Sequence, residues 1–200
     1  MLLSKCEAAD TRLIVLMGIL TGMRRAEIFG LRWSDVDWQG DVIHVRQALY
    51  WRYGKHVRPT EGELFSFIDP KSETSTREID LSPTLKAELR HRYLTSKKTG
   101  LVFCTPEGRP LDPNAFQKEE FTDAVEAAEL GKVRFHDLRH TYGAFKIEQG
   151  ENVYYIQRQM GHSSIQVTVD IYGHLLETRK PDAAAKTDAL LFKAKSKSAD

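Results

Sequence analysis

Residues 136–143 read H-D-L-R-H-T-Y-G, and residues 160–174 read M-G-H-S-S-I-Q-V-T-V-D-I-Y-G-H. Leu138, Tyr142 and Phe145 recur at helical spacing, so 137–149 is expected to be a helix with those three facing inward and Gly150 as its stop. A shorter helix is expected over 153–160, ended by Gly161. His136 and Arg139 stand three residues apart at the start of the first helix and are expected to project together. His162 follows a glycine, and Tyr172 closes the run. Taken alone, the stretch allows three readings: a phosphate site with a nucleophile, a metal site, or ordinary helix surface.

Working outward, residues 7–30 carry Leu13, Leu16, Met17 and Leu20 at i, i+3, i+4, i+7 and read as a core helix, broken at Thr21-Gly22 and resumed from Met23 to Leu31. Arg24 and Glu27 share one face of the resumed segment, and by spacing alone they read as a surface ion pair of little worth. Residues 34–37 and 39–41 are turn material. Val42–Val45, Leu64–Ile68 and Thr76–Leu81 read as three short strands of one small antiparallel sheet. Ser82-Pro83 and Asp112-Pro113 each pair a capping side chain with proline at the first helical position. Leu85, Leu89 and Tyr93 follow the first pair as an apolar stripe; Phe116, Phe121, Val125 and Ala128 follow the second. The fold expected is mainly α with a small three-stranded antiparallel β-sheet.

With 200 residues, 41% hydrophobic and 28% charged, the chain fits one soluble globular domain. Its formal net charge of +1 gives no case by itself for a polyanionic partner. Two cysteines, Cys6 and Cys104, have no metal-ribbon spacing and fit a reducing compartment. The apolar run from Leu13 to Leu20 is too short to cross a bilayer, and a cytoplasmic location with no membrane partner is expected. Locally, residues 42–60 contain no acidic residue against Arg46, Arg52, Lys55 and Arg58, with Tyr50, Trp51 and Tyr53 interleaved. That pattern suits contact with a nucleic-acid backbone, and equally a solvated hairpin over an aromatic cluster.

The polar set has a chemistry in common. Arginine forks match the non-bridging oxygens of a phosphodiester. A histidine accepts or shares a hydroxyl proton near neutral pH, a lysine protonates a leaving alkoxide, and a tyrosine hydroxyl can hold a phosphoryl group covalently. The metal reading rests on His136 and His140 at i, i+4, with His162 or His174 as a third ligand. It is weak, because the H-E-x-x-H pattern needs glutamate where Asp137 stands. His140 reads as a hydrogen-bonded structural histidine.

T-G-M-R-R-A-E-I-F-G-L-R-W-S-D-V-D-W (21–38), a lysine in a turn between strands, H-D-L-R-H-T, M-G-H-S-S-I and D-I-Y-G-H, in that order, resemble the catalytic domain of the tyrosine recombinases, or phage-type integrases. The resemblance runs from about residue 8 to about residue 176. It implies site-specific DNA recombination by phosphoryl transfer through a 3′-phosphotyrosyl intermediate, without ATP, metal or other cofactor. It implies Tyr172 as nucleophile, Arg24 and Arg139 as the phosphate clamp, and Glu27 as the carboxylate that braces the site. Lys71 matches the general acid on the leaving 5′ oxygen, His136 the histidine beside the nucleophile, and His162 the support of phosphate and tyrosine. Arg46, Arg52, Lys55 and Arg58 are expected DNA contacts.

The resemblance further implies double-stranded DNA as partner and a homotetramer on DNA, with a monomer for the domain on its own. Residues 1–176 are then the catalytic domain. Residues 177–200 are a tail whose patch Ala189–Phe192 packs on a neighbouring subunit. The family's N-terminal core-binding domain is expected to be absent from this chain. Two alternatives share the residue set: a relaxing topoisomerase of the same chemistry, and a catalytically silent DNA-binding protein.

Overall fold

The helix expected in the first thirty residues forms as two. α1 spans Ala9–Thr21 and ends on Gly22, whose φ of 62° is left-handed. Leu13, Ile14, Val15, Leu16 and Met17 are all buried. A helix apolar on every side belongs in the middle of a fold, and α1 packs against three others: α2 (Arg25–Gly30), α3 (Pro83–Thr95) and α6 (Phe135–Glu148). The computed structural model of the chain describes residues 2–51, 65–68 and 76–177, with Ala185, Thr187, Asp188, Ala189 and Leu191 of the tail.

The capping signals act as read. The Ser82 hydroxyl accepts from the Leu85 amide at 3.3 Å and starts α3. Asp112 accepts from the Asn114 amide at 2.8 Å and starts α4 (Pro113–Phe116). Residues 117–121 continue as a π-helical turn into α5 (Thr122–Ala127). Phe116 and Phe121 both meet Phe135 edge to face, which ties this segment to the start of α6. α7 (Val153–Met160) and α8 (Ile165–Glu177) follow, and both pack against α6.

A three-stranded antiparallel sheet is present, but its membership differs from the expectation. Its order is β1 (Val36–Asp37), β2 (Val42–Val45), β5 (Arg77–Asp80), with Ile43 opposite Ile79. β1 comes from the D-V-D-W-Q-G-D stretch that reads as turn. It is two residues long because Asp37 Oδ1 accepts from both the Gln39 and Gly40 amides and closes the hairpin at once. The expected middle strand, β4 (Phe65–Ile68), leaves this sheet and pairs with β3 (Ala48–Trp51) as a separate ribbon. Trp51 stacks on Phe65, and Phe65 meets Phe67 edge to face. Aromatic cross-strand pairing therefore draws β4 to β3 rather than to β2.

One other expectation is corrected: Phe145 is 52% exposed, while Ile147 of the same helix is buried. In the tail, Ala189 and Leu191 are exposed; Leu190 and Phe192 lie outside the described residues. Among the described residues, no helix is long and apolar enough to cross a membrane.

Candidate functional site

The site is built on one buried carboxylate. Arg24 is the N-cap of α2 and Glu27 its third residue, and the Glu27 carboxylate reaches back to cap the Arg24 amide. The Arg24 amide donates to Glu27 Oε2 at 2.7 Å, and Arg24 Nη1 donates to Oε1 at 2.8 Å. From β5, Arg77 donates Nη1 to Oε1 at 3.0 Å and Nη2 to Oε2 at 2.8 Å. Glu27 is 5% exposed. Burial alone would raise its pKa, but the hydrogen bonds and charge of Arg77, helped by Arg24, hold it below the ordinary carboxylate value. The surface ion pair that spacing suggests is thus a buried carboxylate with two guanidinium partners, and Arg24 keeps 42% of its side chain open.

α6 supplies the second cation. Arg139 is buried and donates Nη1 to the Gly22 carbonyl at the end of α1. Burial first, then the charge of Arg24, brings its pKa down to about 10; Glu27 opposes the fall. It stays protonated at neutral pH beside the other two guanidiniums. His136, three residues earlier, does not follow it inward but stays exposed. Its ring meets His140 edge to face at 4.9 Å between centroids. Desolvation, then His140 and Arg139, lower its pKa, so it is mostly neutral at pH 7.

α7 ends at Gly161, with φ of 65°, and delivers His162 to the same place. Arg24 Nη2 donates to the Gly161 carbonyl at 2.8 Å, and Arg77 Nε to the Gln159 carbonyl at 2.8 Å. His162 Nδ1 shares a 2.8 Å hydrogen bond with the Thr168 hydroxyl of α8. Burial, then Arg139, Arg24 and Arg77, press its pKa down to about 4. A neutral imidazole therefore sits among cations.

Tyr172 of α8 is 3% exposed. The hydroxyl end of its ring packs against Gly143 of α6, where a methyl group would stand 2.5 Å from the hydroxyl oxygen. That oxygen is 3.3 Å from Nδ1 of His140. Burial raises the phenol pKa against the pull of Arg139. His140 is the hydrogen-bonded histidine that the sequence suggests, but its partner is the tyrosine hydroxyl.

The structure thus gathers Arg24, Glu27, Arg139, His162 and Tyr172, with His136 at the margin. It adds Arg77 and Thr168, which the sequence reading did not place in the site, and brings in His140, which that reading took as structural. Arg77 had a usable signal: it shares a strand face with buried Ile79, and a charged residue on a core-facing strand position needs a partner. Arg46 is 56% exposed on its side chain, 3.4 Å from Asp35, and lines a groove of about 1020 Å³ between the sheet and α7 with Tyr154, Arg158 and His162. Lys71, Arg52, Lys55 and Arg58 lie outside the described residues. Among the described residues, no three His, Cys, Asp or Glu side chains are grouped to hold a metal ion.

The family model described as "Phage integrase family" matches residues 1–179. This chain belongs to the phage integrase family. It is 29% identical over 186 residues to the ICEBs1 integrase of Bacillus subtilis, covering 88% of this chain and 48% of that protein. It is 30% identical over 176 residues to a putative prophage phiRv2 integrase of Mycobacterium tuberculosis, covering 86% and 44%. The chain therefore spans about half the length of the curated relatives it matches. In fold it resembles the Tn1549 transposon integrase solved with a circular-intermediate DNA, with TM-score 0.75 and 20% identity over 94% of this chain and 62% of that one. The catalytic domain of bacteriophage HP1 integrase superposes with TM-score 0.60 and 24% identity, covering 100% of this chain and 93% of that one.

Proposed function

We propose that this chain is the catalytic domain of a site-specific DNA integrase, an enzyme that cuts and rejoins DNA through a 3′-phosphotyrosyl bond. The observation that carries the reading is the convergence of Arg24, Arg139, His162 and Tyr172, from α2, α6, the end of α7 and α8, around the buried Glu27. Arg24 and Arg139 neutralise the phosphate oxygens as they crowd around phosphorus, and fixed donors do this without reorganising. His162, neutral at working pH, gives hydrogen bonds rather than charge. The Tyr172 oxygen forms the bond to phosphorus as the bond to the 5′ oxygen breaks. The tyrosine proton passes to the His136–His140 pair, and Lys71 protonates the departing 5′ oxygen.

In the resting molecule the Tyr172 hydroxyl faces His140, which is placed to take its proton as the oxygen turns to the phosphate. A free 5′-hydroxyl from a second strand then attacks the phosphotyrosine, reversing the same bond changes. The bond energy is conserved, so neither ATP nor metal is called for. Double-stranded DNA is the partner, with Arg46, Arg52, Lys55 and Arg58 along its backbone. Four copies act on two DNA sites, with the Ala189–Phe192 patch on a neighbour, in the cytoplasm.

The test is covalent trapping on a nicked duplex. The expected result is a protein–DNA adduct in EDTA, mapped by peptide mass to Tyr172. Adduct on another residue, or cleavage lost in EDTA, would overturn the reading. Plasmid relaxation without exchange between duplexes would move it to a topoisomerase, and binding without adduct to a silent DNA-binding protein.

A further inference from the structure

Arg77 lies at the first position of β5, and its side chain is 5% exposed. Its fork engages both oxygens of Glu27, at 3.0 and 2.8 Å, and its Nε reaches the Gln159 carbonyl at 2.8 Å. Paired parallel bonds of this kind fix direction as well as distance. Gly161 covers the guanidinium so closely that a Cβ there would stand 2.8 Å from Nη1 and 2.9 Å from Cζ. One side chain thus joins β5, α2 and the end of α7.

Two consequences follow from charge and geometry. Glu27 carries one negative charge in a dry place, and a buried charge must be matched. Arg77 matches it from the inside. Arg24 therefore gives Glu27 one side-chain bond, gives Gly161 another, and keeps an open face. Without Arg77, the carboxylate would draw Arg24 inward and away from a phosphate. The second consequence concerns α7. The last carbonyls of a helix lack intrahelical donors and carry its negative end. Arg77 takes the Gln159 carbonyl and Arg24 the Gly161 carbonyl, so the helix end that leads into His162 is held by two cations. The Gln159 side chain adds a further tie to β5, accepting from the Asp80 amide at 3.0 Å.

We propose that Arg77 is a positioning residue for DNA cleavage: by holding Glu27 and the end of α7 together, it sets Arg24 and His162 for the phosphate without touching it. The proposal rests on the integrase reading above. It goes beyond that reading by giving a role to a residue outside the expected catalytic set.

The experiment compares Arg77→Gln, Arg77→Lys and the double variant Arg77→Gln/Glu27→Gln in single-turnover cleavage of a nicked duplex, DNA affinity and thermal melting. The expected result for Arg77→Gln is a cleavage rate about 100-fold lower with DNA Kd within about 3-fold, the signature of an interaction expressed in the transition state. Arg77→Lys keeps the charge but lacks the fork, and is expected to recover less than about one-tenth of the lost rate. The double variant removes the stranded charge; it is expected to regain melting temperature but not cleavage.

Recovery of cleavage together with stability in the double variant would make Arg77 merely structural and overturn the proposal. So would full rescue by lysine, or a loss of DNA affinity that matches the loss of rate. A readout free of DNA separates this from failure of the integrase reading. The His162 imidazole signals in NMR are expected to move in Arg77→Gln, and an unchanged His162 would sink the positioning role whatever reaction the site performs.

Discussion

The two halves of the site are built to opposite standards. The half around Glu27 is tied in every direction: Arg24 and Arg77 hold the carboxylate, the same arginines hold the end of α7, and Arg139 is fixed to the Gly22 carbonyl. The half around Tyr172 rests on a ring packed against Gly143 and a 3.3 Å contact to His140. Groups that stabilise developing charge act best when they need not move. On the proposed reading, Tyr172, shut away at 3% exposure, must move to meet a phosphate. On that reading the contrast separates a preset cradle from a nucleophile that is released into it.

The contrast can be broken at its strongest point first. Tyr172→Phe is expected to remove covalent adduct altogether while DNA Kd stays within about 3-fold, because only the attacking oxygen is lost. An adduct in that variant, read on a denaturing gel, would end the assignment of the nucleophile. Next, Arg139→Ala is expected to lower single-turnover cleavage by about 100- to 1000-fold, the usual loss for one preset donor. A loss below about 10-fold would show that the cradle is less fixed than its bonds suggest.

Gly143→Ala tests the looser half. The added methyl must push the Tyr172 ring off α6, at a cost of about 1–3 kcal/mol in stability by chemical denaturation. Cleavage is expected to fall by less than about 10-fold, since on the proposed reading the ring leaves this seat during the reaction. A cleavage loss as deep as that of Arg139→Ala would mean that the seat is part of the active arrangement.

The smallest effect is in acid. His162 has a pKa near 4 in the folded chain against an ordinary 6.5, so between those values the unfolded chain binds the extra proton. Its contribution to stability is complete above about pH 6.5 and is lost as pH falls toward 4. Glu27 is depressed as well, and its contribution is present above its ordinary 4.5 and lost as pH falls further. Melting temperature is expected to drop by roughly 3–8 °C from pH 7 to pH 5, and His162→Asn should flatten that drop. An equally steep drop in the variant would assign the acid sensitivity elsewhere.

Most helices were legible, because their ends are written in local chemistry: Ser82-Pro83, Asp112-Pro113, Gly22, Gly161. The sheet was legible as a kind but not in its pairing, since β1 is two residues inside a turn signal and β4 is claimed by the aromatics of β3. In the site, Arg24 and Glu27 read by spacing alone as a surface pair, because the burial of their carboxylate depends on Arg77 arriving from 50 positions away. His140 was rightly read as hydrogen-bonded, yet its partner lies 32 positions on, beyond any spacing rule. Phe145 followed the helical stripe and still points to solvent, because periodicity places a face without saying which neighbours reach its far end.

The β3–β4 ribbon leaves the sheet after Val45 and returns at Arg77, and those two residues face each other in the register of β2 and β5. The chain thus departs and re-enters at a single rung. The entropic cost of closing such a loop grows by only about 0.6 kcal/mol for each doubling of its length. Closure at that rung returns Arg77 to Glu27 at little entropic cost, while Leu49, buried against Gly30, seats the ribbon on α2.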